Sequence, residues 1–334
     1  MGEAARVQKY EQLGHDHMRA ADRSLKQKTL PNSPKLKFYD SINLWHKAGK
    51  CFQIAGEWEE SANAFGRAAT YMRRVGQGHE AAVYWLKSAD MMRRMDPLGS
   101  VWRYENAIDA YVELGRGFTS GNIATTIAEI FEGEKQFGRA IGQYKRASDL
   151  YAAEHFTVQS SQCLFKAAMV SALVNDFEVA CLAFQTVAET SSRHNLLRLN
   201  LPDTLLRAGL CLLADGGSLR GGLYTHQLLR FYMRKWAILD YAWEYSRERQ
   251  FLDNLLTIIP KCDVDAFADH VYSFDNVVGL EAWHLRMLNR VKEDLDEEVA
   301  RKDALNKDHE AARKQAMVDR QAKYKVGYTK KVEK

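Results

Sequence analysis

The stretch FGRAIGQYKRASDLY (137–151) places Ala140, Tyr144 and Ala147 at intervals of four and three residues. In an α-helix these intervals bring a small, an aromatic and another small side chain onto one face. The same order recurs about every forty residues, which is typical of a repeat protein built from helix pairs. The other copies are Ser61, Phe65 and Ala68; Ser100, Tyr104 and Ala107; and Ala180, Phe184 and Val187.

Small residues recur with the same period in the helix that precedes each of these copies. They are Gly49, Ser88, Ala128 and Ala168. Small side chains allow two helices to approach closely, and the aromatic side chain fills the space beside them. The sequence therefore predicts an all-α fold: a right-handed, tetratricopeptide-like helical-hairpin solenoid with a C-terminal helical bundle.

Prolines, glycines and charge divide the chain further. Helix pairs are expected from 36 to about 193, and NLPDT (200–204) is expected to open another helix. Pro260 interrupts a helical region at 225–290, and from about 280 to 325 the pattern predicts one long helix. The predicted organisation is a helix-pair solenoid at 1–224, a C-terminal helical bundle at 225–292 and a charged helix or tail at 293–334.

Composition narrows the class of partner. The net charge of +4 over 334 residues is less basic than a dedicated nucleic-acid binder requires, so no nucleic acid partner is expected. The whole excess lies at 300–334, which carries eleven Lys or Arg against five Asp or Glu, so the rest of the chain is slightly acidic. Neither a signal peptide nor a run of about eighteen apolar residues is found, which favours a cytoplasmic protein without a membrane span.

No pattern in the sequence indicates catalysis. The five cysteines are irregularly spaced, form no CxxC motif and are expected to be reduced, buried thiols in apolar helical stretches. The histidines form no metal-binding motif, and no serine occupies a nucleophile elbow. AGKC (48–51) lacks the spacing of a phosphate-binding loop. The sequence therefore predicts no enzyme, no catalytic residue, no metal and no cofactor.

Three collinear stretches resemble one protein family. They are GRGFTSGNIATTIAEIFEGEKQFGRAIGQYKRASDLYAAE (115–154), the segment from Cys163 to Cys211, and SRERQFLDNLL (246–256) followed by YSFDNVVGLEAWHLRMLNRVKE (272–293). FQIAGEWEESANAFGRAA (52–69) and MMRRMDP (91–97) match earlier repeats. Together they resemble the soluble NSF attachment proteins (SNAPs), most closely the alpha type, over about residues 10–293.

The resemblance implies an adaptor in vesicle-mediated transport and membrane fusion. Members of the family bind assembled SNARE four-helix complexes, syntaxin-like helices among them, and recruit and stimulate the hexameric AAA+ ATPase NSF, which disassembles them. The resemblance also implies a cytoplasmic protein that associates peripherally with membranes. The alternative is a diverged tetratricopeptide-like scaffold that binds other proteins.

The implied SNARE-binding residues are basic. Arg93, Arg94, Arg116, Lys166 and Arg198 fall on basic positions of the family, although two other family lysines are lost near Asn122 and at Gln162. A basic ridge along the solenoid fits an acidic, rod-shaped partner. The alternative interpretation is that these cations lie near helix C-termini, where they complement the helix dipole.

The implied membrane contact lies between the first two helices, in KQKTLPNSPKLKF (26–38). The family usually has paired phenylalanines there, whereas this chain offers only Leu25, Leu30, Leu36 and Phe38, beside Lys26, Lys28, Lys35 and Lys37. Leucines insert weakly, and lysines add attraction to anionic lipid. The alternative is that Leu36 caps the core.

The implied ATPase contact lies in EDLDEEVAR (293–301). Its acidic residues and leucine are Asp294, Leu295, Asp296, Glu297 and Glu298. The leucine with which the family stimulates the ATPase has two candidate counterparts, Leu295 and Val299. The remaining tail reads either as a solvated helix or as a basic arm for a membrane or the ATPase.

Overall fold

The computed structural model describes residues 3–26, 35–215 and 223–332, and secondary structure within these ranges is helical. The predicted all-α fold is confirmed. The chain separates into two units, which we call unit 1 (1–174) and unit 2 (175–334). The domain boundaries expected at 224 and 292 stay predictions.

Unit 1 consists of helices joined by turns of two or three residues, except between the first two. In chain order they are α1 (Glu3–Lys26), α2 (Leu36–Ala55), α3 (Trp58–Arg74), α4 (Gly78–Arg93), α5 (Pro97–Glu113), α6 (Gly117–Gly133), α7 (Phe137–Ala153) and α8 (Thr157–Leu173). Each helix packs on the next one along the chain. Because short turns reverse the direction of the chain, successive helices are antiparallel and the even-numbered helices run parallel to one another.

The repeat pattern marks the core, as predicted. All twelve residues of the four small–aromatic–small copies are buried, with Tyr144 and Phe184 fully enclosed. Two buried serines donate to the neighbouring helix: Ser61 Oγ to the carbonyl oxygen of Gly49 at 2.9 Å, and Ser88 Oγ to that of Ala62 at 2.6 Å. At these two positions a small polar residue permits close helix contact without leaving a buried donor unpaired.

The turns repeat at half the period of the helix pairs. Gly56, Gly76 and Gly115 have positive φ angles, and Lys135 and His155 adopt the same left-handed conformation at the corresponding turns. A left-handed residue just after a helix allows backbone N–H groups to bond back to the last carbonyls. Between α4 and α5 the chain uses another device, because Asp96 caps α5 by accepting from the Gly99 N–H at 2.9 Å.

Unit 2 contains shorter and less regular helices. They are α9 (Phe177–Ser192), α10 (Asn195–Arg198), α11 (Leu201–Ala214), α12 (Leu223–Leu239), α13 (Tyr241–Glu244), α14 (Arg247–Ile258), a 3₁₀ turn (Ile259–Lys261), α15 (Val264–Val278) and α16 (Ala282–Val332). The expected helix start at NLPDT is confirmed by α11, and the break at Pro260 by the 3₁₀ turn. Helix α11 lies at the centre, in contact with α9, α12, α14 and α16.

A buried polar network fastens the first turn of α16 to α11. Arg207 is 3% exposed, and its guanidinium donates to Asp203 at 2.8 Å and to Glu281 at 2.9 Å. His284 is equally buried, with Nε2 3.0 Å from Asp203, and Arg207 lies over the Trp283 ring. Burial alone would raise the pKa of Asp203, but its bonds to His284 and Arg207 outweigh burial and lower it.

Helix α16 confirms the single long helix predicted near 280–325, and its two ends differ in environment. Trp283, Met287, Leu288, Val291 and Leu295 are buried. From Ala300 to Val318 every side chain is exposed. The helix therefore packs on unit 2 through its first four turns and continues into solvent.

Candidate partner-binding surface

Three of the four even-numbered helices of unit 1 carry an exposed lysine at one equivalent position. Lys47 on α2, Lys87 on α4 and Lys166 on α8 each immediately precede two consecutive buried residues of the helix contact. The fourth member of the series, on α6, is Thr126. Because the even-numbered helices are parallel, equivalent positions lie at the same level, and the lysines form a row across this face.

Three lysines gather at the α2–α4 end of this face, and we call Lys47, Lys50 and Lys87 the lysine cluster. Burial lowers the pKa of the neighbouring His46, and the charges of Lys50 and Lys87 lower it further. Both ammonium groups therefore lie near His46. None of the three forms an ion pair with a residue in the described ranges, so their charge faces outward.

Lys166 is placed differently, although it occupies the equivalent position. Its Nζ lies 2.8 Å from Glu129 Oε1 on α6 and 5.5 Å from the centre of the Tyr144 ring. About half of each charged side chain remains exposed. Lys166 thus joins two successive even-numbered helices, and a partner's carboxylate must compete with Glu129 for it.

The predicted arginines of unit 1 lie at two different ends of the helices. Arg93 and Arg94 are exposed at the C-terminal end of α4, as the helix-dipole interpretation expects. The Arg94 guanidinium lies 4.3 Å from the Trp58 ring centre, and Arg93 lies near the hydroxyl of Tyr104. Arg116 is exposed at the N-cap of α6, where a cation gains nothing from the dipole. Helix α4 is about 24 Å long, so these residues do not form one cluster.

Arg198, in unit 2, holds a structural contact. Its guanidinium donates two hydrogen bonds to Asp240, at 2.8 and 2.9 Å, and the Asp240 side chain is 3% exposed. Asp240 also caps α13 through the N–H of Ala242. The hydrogen bond from Arg198 lowers the pKa of Asp240. This pair fastens α10 to the junction of α12 and α13.

The acidic segment expected to contact an ATPase lies on α16 and is only partly available. Leu295 is completely buried, and Asp294 is mostly covered beside Arg290. Glu298 is largely covered and pairs with Arg301 at 2.6 Å. Asp296 and Glu297 are exposed. Of the predicted contact residues, these two carboxylates are therefore the ones a partner can reach directly.

The expected membrane loop lies mostly outside the described residues, which begin again at residue 35, so Leu30 and Lys28 are not placed. Lys35 precedes α2, and its Nζ donates to the carbonyl oxygen of Val75 at 3.1 Å. Leu36 is 52% exposed. No helix within the described ranges has the length and apolar character needed to cross a bilayer.

The described residues also contain no group of three or more His, Cys, Asp or Glu side chains arranged to hold a metal ion. Four cysteines are buried, as expected, and burial raises the pKa of the Cys181 thiol to about 12. The expectation was wrong for Cys262, which is partly exposed. The 3₁₀ turn at Pro260 ends the helix before it, and Cys262 takes a left-handed conformation in the loop.

Sequence reasoning missed Lys47 and Lys87, and a signal for both was present. Counting from the helix starts places Lys166 in register with Lys87, each nine residues after the first residue of its helix, but not with Lys47, which lies eleven residues after Leu36. The burial pattern gives the correct register, because Lys47, Lys87 and Lys166 each precede two buried residues. A search for cations that directly precede two small residues, as in Lys47 before Ala48 and Gly49, would have found the row.

Fold and surface define a class of protein: a tandem helical-hairpin protein with a broad charged face and without a metal cluster in its described ranges. The sequence profile of one family, "Soluble NSF attachment protein, SNAP", matches residues 12–296. The chain therefore belongs to the soluble NSF attachment protein family.

Named relatives match along most of their own lengths. The alpha-soluble NSF attachment protein of Vitis vinifera is 28% identical over 77% of this chain and 86% of its own. A probable vesicular-fusion protein sec17 homolog of Schizosaccharomyces pombe is 26% identical, covering 78% and 88% respectively. The human alpha-soluble NSF attachment protein is also 26% identical, covering 78% and 87%.

Proposed function

We propose that this protein is an adaptor that binds assembled SNARE four-helix complexes and recruits an NSF-type hexameric ATPase to disassemble them. The observation that carries the proposal is membership of the family across residues 12–296, with relatives named for NSF attachment aligned over most of their lengths. The adaptor itself performs no chemistry. It works in the cytoplasm and meets membranes peripherally.

The even-numbered face of unit 1 suits an extended acidic partner. The lysine cluster supplies three outward charges that no carboxylate of the described residues neutralises. Long-range attraction of this kind speeds encounter and orients a rod without requiring side-chain specificity. Lys166 adds a fourth charge once a carboxylate of the partner replaces Glu129 in its ion pair.

The first experiment measures binding to purified assembled SNARE bundles and to single SNARE helices. We expect the wild-type protein to bind the assembled bundle selectively. Reversing Lys47, Lys50 and Lys87 to Glu should weaken binding at least tenfold at low salt, with a smaller effect at high salt because exposed charges are screened. A second variant reverses the sequence-derived set Arg93, Arg94 and Lys166.

The matched control reverses three other exposed cations of unit 1, Lys135, Arg139 and Lys145, which lie on α7 and the turn before it. It changes the net charge equally but leaves the lysine cluster intact. If the control variant weakens binding as much as the cluster variant, net charge alone explains the effect, and a defined contact face is contradicted. A wild-type protein that ignores assembled bundles would favour the alternative, a scaffold for other partners.

The ATPase contact is tested by reversing Asp296 and Glu297 to Lys. Both are exposed, so the fold and bundle binding should persist while disassembly by the ATPase is lost. Leu295→Ala is not an equivalent test, because removing a fully buried leucine costs about 2–5 kcal/mol of stability. Normal disassembly in the presence of the double variant would show that the ATPase contact lies outside this segment of α16.

A further inference from the structure

Unit 2 exposes an apolar and aromatic patch around α12 and α13. Its members are far more exposed than core residues: Leu199 is 86% exposed, Phe231 60%, Ile238 88%, Tyr241 71% and Tyr245 67%. We call these five residues the α12–α13 patch. Single exposed apolar residues are ordinary, whereas a group of large ones on neighbouring elements marks an interaction surface.

The contacts of Arg198 and Asp240 bring the patch together. Leu199 follows Arg198 directly, and Ile238 and Tyr241 lie within two residues of Asp240. The two hydrogen bonds between Arg198 and Asp240 therefore hold residues from separate helices at one place. Tyr241 and Tyr245 continue the patch, with their rings 5.1 Å apart and their hydroxyl oxygens 3.0 Å apart.

The exposed apolar residues of α12 take no part in packing this helix against the core. Its inner face consists of Leu229, Met233 and Trp236, each at most 3% exposed. Phe231 and Ile238 lie on the opposite side, two turns apart, and nothing in the helix contact requires them to be apolar. Apolar residues on both sides of a surface helix indicate a second contact in addition to the core.

Cations predominate around the patch, and Glu244, which lies between Tyr241 and Tyr245 in the sequence, is paired with Arg249 at 3.2 Å. Helix α12 contains no Asp or Glu in its seventeen residues, while Arg230, Arg234 and Lys235 are exposed. Arg234 and Lys235 lie between Phe231 and Ile238 on the outer face. Lys235 has one carboxylate neighbour, Glu189 at 3.5 Å. A partner that covers the patch must therefore be apolar where it meets the rings and anionic beside them.

We propose that the α12–α13 patch is a second membrane-contact surface, which lies against the headgroup region of an anionic bilayer. Phenylalanine and tyrosine rings suit the boundary between headgroups and acyl chains, and aliphatic tips such as Ile238 insert beside them. Arg230, Arg234 and Lys235 attract anionic headgroups, each contributing about 1 kcal/mol near the surface. This contact does not depend on the proposed adaptor function.

The experiment measures sedimentation of the full chain with vesicles of pure phosphatidylcholine or of phosphatidylcholine rich in phosphatidylserine, without any SNARE or ATPase. We expect binding to the phosphatidylserine vesicles and little to the neutral ones. Changing Ile238, Tyr241 and Tyr245 together to Ser should abolish most of it. Arg234→Gln should reduce it roughly fivefold, the equivalent of one lost cation.

The matched control changes Tyr272 and Val277 on α15 to Ser, which are 69% and 61% exposed and lie outside the patch. Its binding should equal that of the wild type. Equal binding by the patch variant and the wild type would overturn the proposal, and would leave the loop at 26–38 as the membrane contact. Equal binding to neutral vesicles would also overturn it.

A labelling measurement tests the same surface without removing it. In a chain with Cys262→Ser, an environment-sensitive dye is placed at Tyr245→Cys or, as control, at Tyr272→Cys. We expect a blue shift of the dye emission on anionic vesicles at position 245 and none at 272. A blue shift at 245 that instead grows with protein concentration in the absence of vesicles would assign the patch to a second copy of the chain, and would contradict a lipid contact.

Discussion

The two units each bury an arginine, and they hold it in different ways. Arg103 in unit 1 is 5% exposed and donates to the neutral oxygens of Ser88, at 3.0 Å, and Asn63, at 2.8 Å. Arg207 in unit 2 is 3% exposed and donates to two carboxylates. Unit 1 therefore depends on repeated shape complementarity, whereas unit 2 depends on a specific charged network.

The largest difference between the units should appear when each arginine is replaced by Met. Arg207→Met leaves Asp203 and Glu281 without their shared cation; because these side chains are 43% and 66% exposed, water replaces part of the lost interaction, and the cost should be about 2–3 kcal/mol. Arg103→Met leaves two neutral hydrogen-bond acceptors without their donor, so its cost should be smaller, about 1–2 kcal/mol. Urea denaturation followed by circular dichroism measures both. Equal losses would remove the distinction between the units.

The second prediction concerns shape complementarity in unit 1. A Cβ at Gly49 would lie 2.7 Å from the ring of Phe65, which is itself 3% exposed and cannot move aside. Gly49→Ala should therefore lower the free energy of unfolding by about 1–3 kcal/mol, despite the better helix propensity of alanine.

Its control is Gly138→Ala on α7, where a Cβ meets nothing within 4 Å. This change should raise stability by up to about 1 kcal/mol, since only the propensity of the helix changes. Thermal unfolding of both variants decides the matter. If Gly49→Ala is as stable as Gly138→Ala, close helix contact at the small residues does not hold unit 1 together.

The smallest expected effect concerns pH and Arg198. Because Arg198 lowers the pKa of Asp240 in the folded state, the pair stabilises unit 2 above the unfolded pKa of about 4 and loses that contribution as the pH falls through the folded value. Arg198→Gln should lower the stability slightly at neutral pH and flatten the acid limb of the stability curve. Denaturation across pH 2–7 measures this, and an unchanged acid limb would contradict it.

The same contrast explains what could be predicted from sequence. The small–aromatic–small copies in unit 1 repeat, so each confirms the others, and the positions of the buried residues follow from the period. The network of Asp203, Arg207 and His284 occurs once and joins positions about eighty residues apart in the sequence, so no local sequence pattern predicts it. Leu295 was a candidate contact residue because its neighbours are acidic, but the geometry of α16 directs it into the core.

The candidate surface shows the same limit. Lys166 could be predicted, whereas its pairing with Glu129 depends on how α6 and α8 lie side by side. Lys47 and Lys87 share a position that the small residues after them indicate and that the burial pattern makes clear. The five residues of the α12–α13 patch lie on α12, α13 and the residues that follow α10 and α13, and they are brought together by Arg198, which sequence comparison treats as one basic residue among others.

The turns between the helices of unit 1 also have a mechanical consequence. Each helix packs mainly on its chain neighbours, so few contacts tie one helix pair to distant ones. Under tension applied at the ends of unit 1, we expect extension in steps, each releasing one pair. A pair of about forty residues becomes roughly 130–145 Å of extended chain. The repeat that builds the charged face thus also divides unit 1 into elements that can yield to force one at a time.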